Sequence, residues 1–165
     1  RIPKLIRYLK DGNDLGLITD AGTPGISDPA YRIVREAIKN SVEVIPIPGA
    51  SAFIAGLVTS GLPTDRFIFE GFLPTKKGRI KKIENIKNVD ATLIYYESPH
   101  RISKTLDQLN QMLGDRPAVV ARELTKVHEE IRRGTLSELC LHYKKQKPKG
   151  ECVILVAKDD ENVYF

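Results

Sequence analysis

Three groups of residues carry types and spacings suited to chemistry. The first is Asp20-Ala21-Gly22-Thr23-Pro24-Gly25-Ile26-Ser27-Asp28-Pro29. Its glycines let backbone approach a ligand closely, its prolines fix the shape of the loop, and Asp20 offers a free carboxylate. The second is Pro46-Ile47-Pro48-Gly49-Ala50-Ser51-Ala52, where Ser51 and the amides around it are expected to face the same crevice as Asp20. The third is a polar set in the second half of the chain. Glu97, His100 and Arg101 follow one predicted strand, and Arg122, Glu123 and Lys126 follow another. Taken singly, Glu97 and Glu123 read as salt-bridge partners of Arg101 and Arg122, and His100 as a first-turn helix residue. Taken together they could line a cleft between domains, where ligand sites are common. Several other chemistries lack their residues. There is no Walker A or GxGxxG sequence, no HExxH or CxxC, and no nucleophile-elbow setting for Ser27 or Ser51.

The elements that must hold these groups follow from periodicity. Ile2, Leu5, Ile6 and Leu9 predict an amphipathic helix over Pro3–Lys10. Leu15–Thr19 and Val42–Ile45 read as buried strands on either side of a helix over Pro29–Lys39, started by Asp28-Pro29. That order predicts a parallel sheet, with both loops at its carboxyl edge. A small-residue helix follows from Ala50 to about Thr59, packed tightly.

Gly61-Leu62-Pro63-Thr64-Asp65 marks a domain boundary, giving a first domain over 1–64 and a second over 65–158. The second half predicts a strand over Phe67–Leu73 bulged at Gly71, a basic helix over Lys76–Asn85 and a strand over Ala91–Tyr96. A helix started by Ser98-Pro99 should carry the stripe Ile102, Leu106, Leu109 and Leu113 and end at Gly114. Strands at Ala118–Ala121, Glu130–Gly134 and Gly150–Ala157 complete the pattern, with Thr135-Leu136-Ser137-Glu138 as a capping box for one more helix. Glu161-Asn162-Val163-Tyr164-Phe165 resembles a protease-site linker of the kind used in protein expression, and the tail 159–165 is left out of the fold.

The 165 residues are 41% hydrophobic and 28% charged, an ordinary globular balance with no apolar run long enough to span a bilayer. Cys140 and Cys152 lie in apolar segments and read as reduced core residues, consistent with a cytoplasmic setting. The only methionine is Met112, so a chain starting at Arg1 reads as a fragment or a processed product. The net charge of +5 favours an anionic partner modestly. Its distribution says more: Lys76, Lys77, Arg79, Lys81, Lys82 and Lys87 form one cluster and Lys144, Lys145, Lys147 and Lys149 a second. Each reads equally as a solvated face or as a surface for a phosphate backbone.

The loop Asp20–Pro29 resembles the signature of the ribosomal RNA small subunit methyltransferase I family, a branch of the tetrapyrrole methylase superfamily of S-adenosylmethionine enzymes. Pro46–Ala52, Phe69-Glu70-Gly71-Phe72-Leu73-Pro74-Thr75-Lys76 and Tyr96-Glu97-Ser98-Pro99-His100-Arg101 extend the resemblance in the same order, from Arg1 to about Lys158. The resemblance implies a two-domain α/β fold: the remainder of a parallel-sheet domain, then a second α/β domain with a mixed sheet. It implies a methyl donor, S-adenosylmethionine, held by Asp20, Ala21, Gly22, Thr23 and Ile26, by Ser51 and Ala52, and by the backbone of Glu97. It implies 2′-O-ribose methylation of a cytidine in small-subunit RNA, by in-line displacement needing no metal. The candidate proton acceptors are then His100 and Glu97, the candidate cations Arg101 and Lys126, and Lys76 and Arg79 would grip RNA phosphate. The partners implied are small-subunit RNA or the assembled subunit, with a homodimer.

Two departures stand out. The family's opening strand and Pro/Gly-rich loop have no counterpart after Arg1, so an incomplete pocket and an inactive fragment are one expectation. Ala30 also stands where the family has Gly. The rival readings are a methyltransferase acting on a corrin or porphyrin, and a non-catalytic RNA-binding or dimerisation module.

Overall fold

A computed structural model describes residues 1–165 as an α/β chain with six helices and one mixed sheet. It divides into two units, Arg1–Ser51 and Ala52–Phe165. The break thus falls earlier than the expected one after Thr64.

The first unit holds two helices, α1 (Ile2–Lys10) and α2 (Tyr31–Lys39), which pack on each other and bury Ile6 and Ala37. The strands expected at Leu15–Thr19 and Val42–Ile45 do not form, and with them the parallel sheet of the first half is absent. A strand needs a neighbour for its backbone donors and acceptors, and nothing in this unit pairs with either segment. Their side chains are accordingly open, with Ile18 90% and Ile45 68% exposed. Helix α2 also begins later than Pro29. Asp28 does not cap it; its carboxylate accepts from Gly25 N–H (2.9 Å) and Ala30 N–H (2.7 Å), closing the loop ahead of the helix.

The second unit is built on a five-stranded sheet: β1 (Phe67–Phe72), β2 (Thr92–Glu97), β3 (Pro117–Arg122), β4 (Glu130–Thr135) and β5 (Cys152–Val156). The strand order is β1-β2-β5-β3-β4. β1 and β2 run parallel, and the other neighbours are antiparallel. The expected bulge appears in β1, where the register shifts between Phe69 and Gly71.

Each central strand alternates between two buried faces. Leu93, Tyr95, Ala118, Val120, Ile154 and Val156 face one core, with α4 (Arg79–Glu84), α5 (Ile102–Leu113) and α6 (Leu136–Lys145) packed over it. Ile94, Val119, Ala121, Val153 and Leu155 face the other, covered by α3 (Ala52–Ser60). A Cβ on Gly56 of α3 would lie 3.5 Å from both Val153 and Leu155, so a small residue is what lets this helix sit close. That packing places α3 in the second unit, although its sequence position suggested the first.

Local signals explain most boundaries. α5 carries its apolar stripe on one buried face and ends at Gly114, whose φ of +87° suits glycine. Thr135 and Glu138 form the capping box of α6. α4 is shorter than its basic run, starting after Gly78 in the left-handed region. α5 starts at Ile102, leaving Ser98–Arg101 as a turn rather than a first helical turn. Cys140 and Cys152 are free and buried. In the tail, Val163 packs against the α3-side core, so this segment takes part in the fold. No helix is long and apolar enough to cross a membrane.

Candidate functional site

In the first unit, the two glycine-containing loops meet. The Thr23 hydroxyl donates to Ala50 C=O at 2.9 Å, across 27 residues of chain. Gly22 has a φ of +72°, and a Cβ there would stand 3.7 Å from the same carbonyl. Only glycine takes this conformation without strain. Asp20, Ala21, Gly22 and Ile26 are exposed, Thr23 is half-buried, and the Ser51 hydroxyl is buried with no hydrogen-bond partner. The result is an exposed loop surface with one open carboxylate, and beside it one buried, unsatisfied hydroxyl. A ligand with hydrogen-bonding and positively charged groups suits it, and the amino, sulfonium and hydroxyl groups of the methyl donor that the resemblance implies are of that kind. Ala52, the last of the expected donor residues, opens α3 in the other unit.

In the second unit, Glu97 ends β2 on the face that α5 covers, and its carboxylate is wholly buried. Oε1 accepts from Ser98 N–H at 2.7 Å and from Arg101 Nη2 at 2.7 Å. Oε2 accepts from the Thr105 hydroxyl at 2.6 Å, with Arg79 Nη2 at 3.8 Å. A carboxylate so enclosed has no free lone pair facing solvent. Glu97 is therefore not placed to take a proton from a substrate; it is the ion-pair partner of Arg101 and the anchor of the Ser98–Arg101 turn.

Arg79 also departs from its expected role. It is 6% exposed and donates to Gln108 Oε1 (2.6 Å), Pro74 C=O (3.2 Å) and the Thr105 hydroxyl (2.7 Å). Burial holds its guanidinium below the ordinary arginine value, against the pull of Glu97. It is a structural cation, with no surface left for RNA. Lys76, by contrast, is exposed. Thr105 and Gln108 are the members of this network that the sequence did not single out, and Arg79 was expected at the RNA surface instead. The available signal was a hydroxyl at position 105, three residues after Ile102 on an otherwise apolar stripe.

The network leaves His100 on the outside of the turn. Its backbone N–H meets Ser98 Oγ at 3.4 Å, and its imidazole is exposed. The other polar group lies on the same edge of the sheet. Arg122 ends β3, and both Glu97 and Arg122 pair with Cys152 of β5 between them. The two groups are not joined by any hydrogen bond or ion pair. Nor does Glu123 pair with Arg122. Arg122 binds Glu130 at 2.5 Å across the ladder, and Glu123 binds Lys126 at 3.1 Å. No cluster of three or more His, Cys, Asp and Glu is arranged to hold a metal ion.

Residues 2–140 match the family of Tetrapyrrole (Corrin/Porphyrin) Methylases. Ribosomal RNA small subunit methyltransferase I of Mesorhizobium japonicum is 51% identical over 166 residues, covering 96% of this chain and 56% of that protein. The protein of the same name from Thermotoga maritima is 40% identical over 157 residues, covering 95% of this chain and 71% of that one. The chain spans 56–57% of the length of the relatives from Mesorhizobium japonicum and Synechocystis. Among solved structures, the methyltransferase CobJ superposes with a TM-score of 0.69 at 16% identity, covering 99% of this chain and 72% of that one. Diphthine synthase superposes with a TM-score of 0.68 at 21% identity, covering 93% of this chain and 63% of that one. These two likenesses establish the fold.

Proposed function

The chain belongs to the tetrapyrrole methylases and, within them, to the ribosomal RNA small subunit methyltransferase I group, and from that we propose that it forms the larger part of an S-adenosylmethionine-dependent enzyme. Its reaction would be 2′-O-methylation of a cytidine ribose in small-subunit RNA. The observation that carries the donor site is the Thr23–Ala50 hydrogen bond, which draws the two glycine loops together. Asp20, Ala21, Gly22, Thr23 and Ile26, with Ser51 and Ala52, would hold the donor, largely through main-chain groups.

S-adenosylmethionine, when bound, supplies a methyl group already activated on a sulfonium. What the protein must add is alignment and an acceptor for the ribose hydroxyl proton. His100 is the candidate for that proton, being exposed on a turn whose geometry the buried Glu97 fixes. Lys126 would lend positive charge to the developing alkoxide. Arg101 is half-buried against Glu97, and its contribution would be to hold the turn. Lys76 would meet RNA phosphate. A homodimer and a cytoplasmic setting go with this reading.

Calorimetric titration of the chain with S-adenosylmethionine and S-adenosylhomocysteine tests the donor site, and methyl transfer to small-subunit RNA by the full-length protein tests the reaction. Stoichiometric binding that weakens at least tenfold in Thr23→Val supports the site. Binding unchanged in both Thr23→Val and Asp20→Asn would overturn it.

A further inference from the structure

A cavity of about 390 Å³ opens in the second unit where β3 and β4 meet the end of α6. Arg122, His128, His142, Tyr143, Lys147 and Lys149 line it. Two carboxylates, Glu123 and Glu130, also line it, but neither is free. Glu123 is paired with Lys126, and Glu130 with both Arg122 and Arg132. Lys147 and Lys149 have no ion-pair partner, so the net field of the cavity is positive. Arg122 Nη1 reaches Lys149 C=O at 3.5 Å and ties the lysine segment to the sheet edge. Pro148 stiffens that segment between the two lysines.

Tyr143 adds an independent sign of a ligand. It is 2% exposed, and its hydroxyl is buried with no hydrogen-bond partner. A buried polar group left unpaired is costly, and a hydroxyl of this kind on the wall of a cavity is open to a partner that enters it. Burial also raises the tyrosine above its ordinary value, so the hydroxyl stays protonated and can donate.

We propose that this cavity binds a phosphodiester group of an RNA strand, with Lys147 and Lys149 supplying charge and the Tyr143 hydroxyl donating to a phosphate oxygen. The site rests on the reading of the protein as an RNA methyltransferase and adds to it a second point of grip. It lies on the sheet edge shared by Arg122 and Glu97. RNA held there would pass alongside the turn that carries His100. The two lysines come from the second basic cluster; Lys144, in the same cluster, is instead paired with Asp107 at 3.1 Å on α5.

The test is fluorescence anisotropy of the 165-residue chain with a labelled single-stranded RNA oligonucleotide, titrated over salt. Lys147→Ala/Lys149→Ala should weaken binding at least tenfold and flatten the log–log salt slope by about 0.7, the value for one single-strand phosphate contact. Lys147→Arg/Lys149→Arg should keep the wild-type slope. Tyr143→Phe should weaken binding several-fold with the slope unchanged, because it removes a donor and no charge. Inorganic phosphate at equal ionic strength should compete no better than chloride; displacement of RNA by millimolar phosphate would mean a free-phosphate site and overturn the assignment. Equal affinity and slope in wild type and the double alanine variant would also overturn it, while donor binding and methylation would still stand. RNA binding absent from the wild-type chain would overturn the cavity assignment, while the methyltransferase reading would still be judged by methyl transfer in the full-length protein.

Discussion

Glu97 and Arg122 stand in one row of the sheet, each opposite Cys152 of the strand between them. With strands about 4.8 Å apart, their backbones are about 10 Å from each other. Their bonds run to different partners: Glu97 to the α5 side and Arg122 to Glu130. Sites so separated contribute independently. In urea unfolding, Glu97→Gln and Arg122→Gln should therefore add, with a coupling below about 0.5 kcal/mol. Glu97→Gln and Thr105→Val share a hydrogen bond and should couple by about 0.5–3 kcal/mol. Strong coupling in the first pair would mean that the two groups form one network.

Arg79 separates the structural reading from the RNA reading. Its guanidinium is enclosed by Gln108, Thr105 and Glu97. Arg79→Ala leaves the Glu97 carboxylate less compensated and should cost about 3–5 kcal/mol of stability. RNA affinity per folded molecule should be unchanged. A stably folded variant with a selective loss of RNA binding would restore Arg79 to the RNA surface.

His100 is exposed and has no structural bond through its imidazole. In the full-length protein, His100→Ala should leave stability and donor affinity alone and lower methyl transfer by about 10²-fold or more. Wild-type turnover in this variant would move the proton acceptor elsewhere.

The thiols should be silent in the folded state. Burial pushes Cys152 up to about 12 and Cys140 above its ordinary value. The thiolate is the reactive form, so a disulfide reagent at pH 8 should label neither residue until denaturant is added. Rapid labelling of the native chain would place at least one cysteine at the surface.

Acid sensitivity should track the two depressed carboxylates that are partly buried, Asp115 and Glu130. Partial burial opposes the charge of Asp115, but the Ser137 N–H (2.8 Å) and hydroxyl (2.7 Å) outweigh it and hold the carboxyl below its ordinary value. Glu130 is lowered in the same way, with Arg122 and Arg132 outweighing burial. A carboxyl depressed on folding stabilises above its unfolded pKa, and loses that contribution as pH falls through the folded value. Urea midpoints should thus fall below about pH 4 in the wild type, and fall less steeply in Asp115→Asn. Identical pH profiles for the two proteins would assign the acid limb to other groups.

Short-range patterns were legible from the sequence. The stripe Ile102, Leu106, Leu109 and Leu113, the capping box at Thr135 and Glu138, the bulge at Gly71 and all five strands of the mixed sheet follow from period, caps and glycine placement, which act over a few residues. The motif-bearing loops were legible too, because glycine and proline dictate backbone locally. Partnership was not. Leu15–Thr19 and Val42–Ile45 have the composition of strands, yet a strand exists only where another backbone completes its hydrogen bonds. The alliance of α3 with the second unit depends on the closeness of Gly56 to Val153 and Leu155, distant in sequence. The sequence showed Arg79 as one of six cations in a basic run and Glu97 as one of a catalytic group. Only the tertiary structure buried them together against Thr105, because which charges are desolvated is decided by what packs over them.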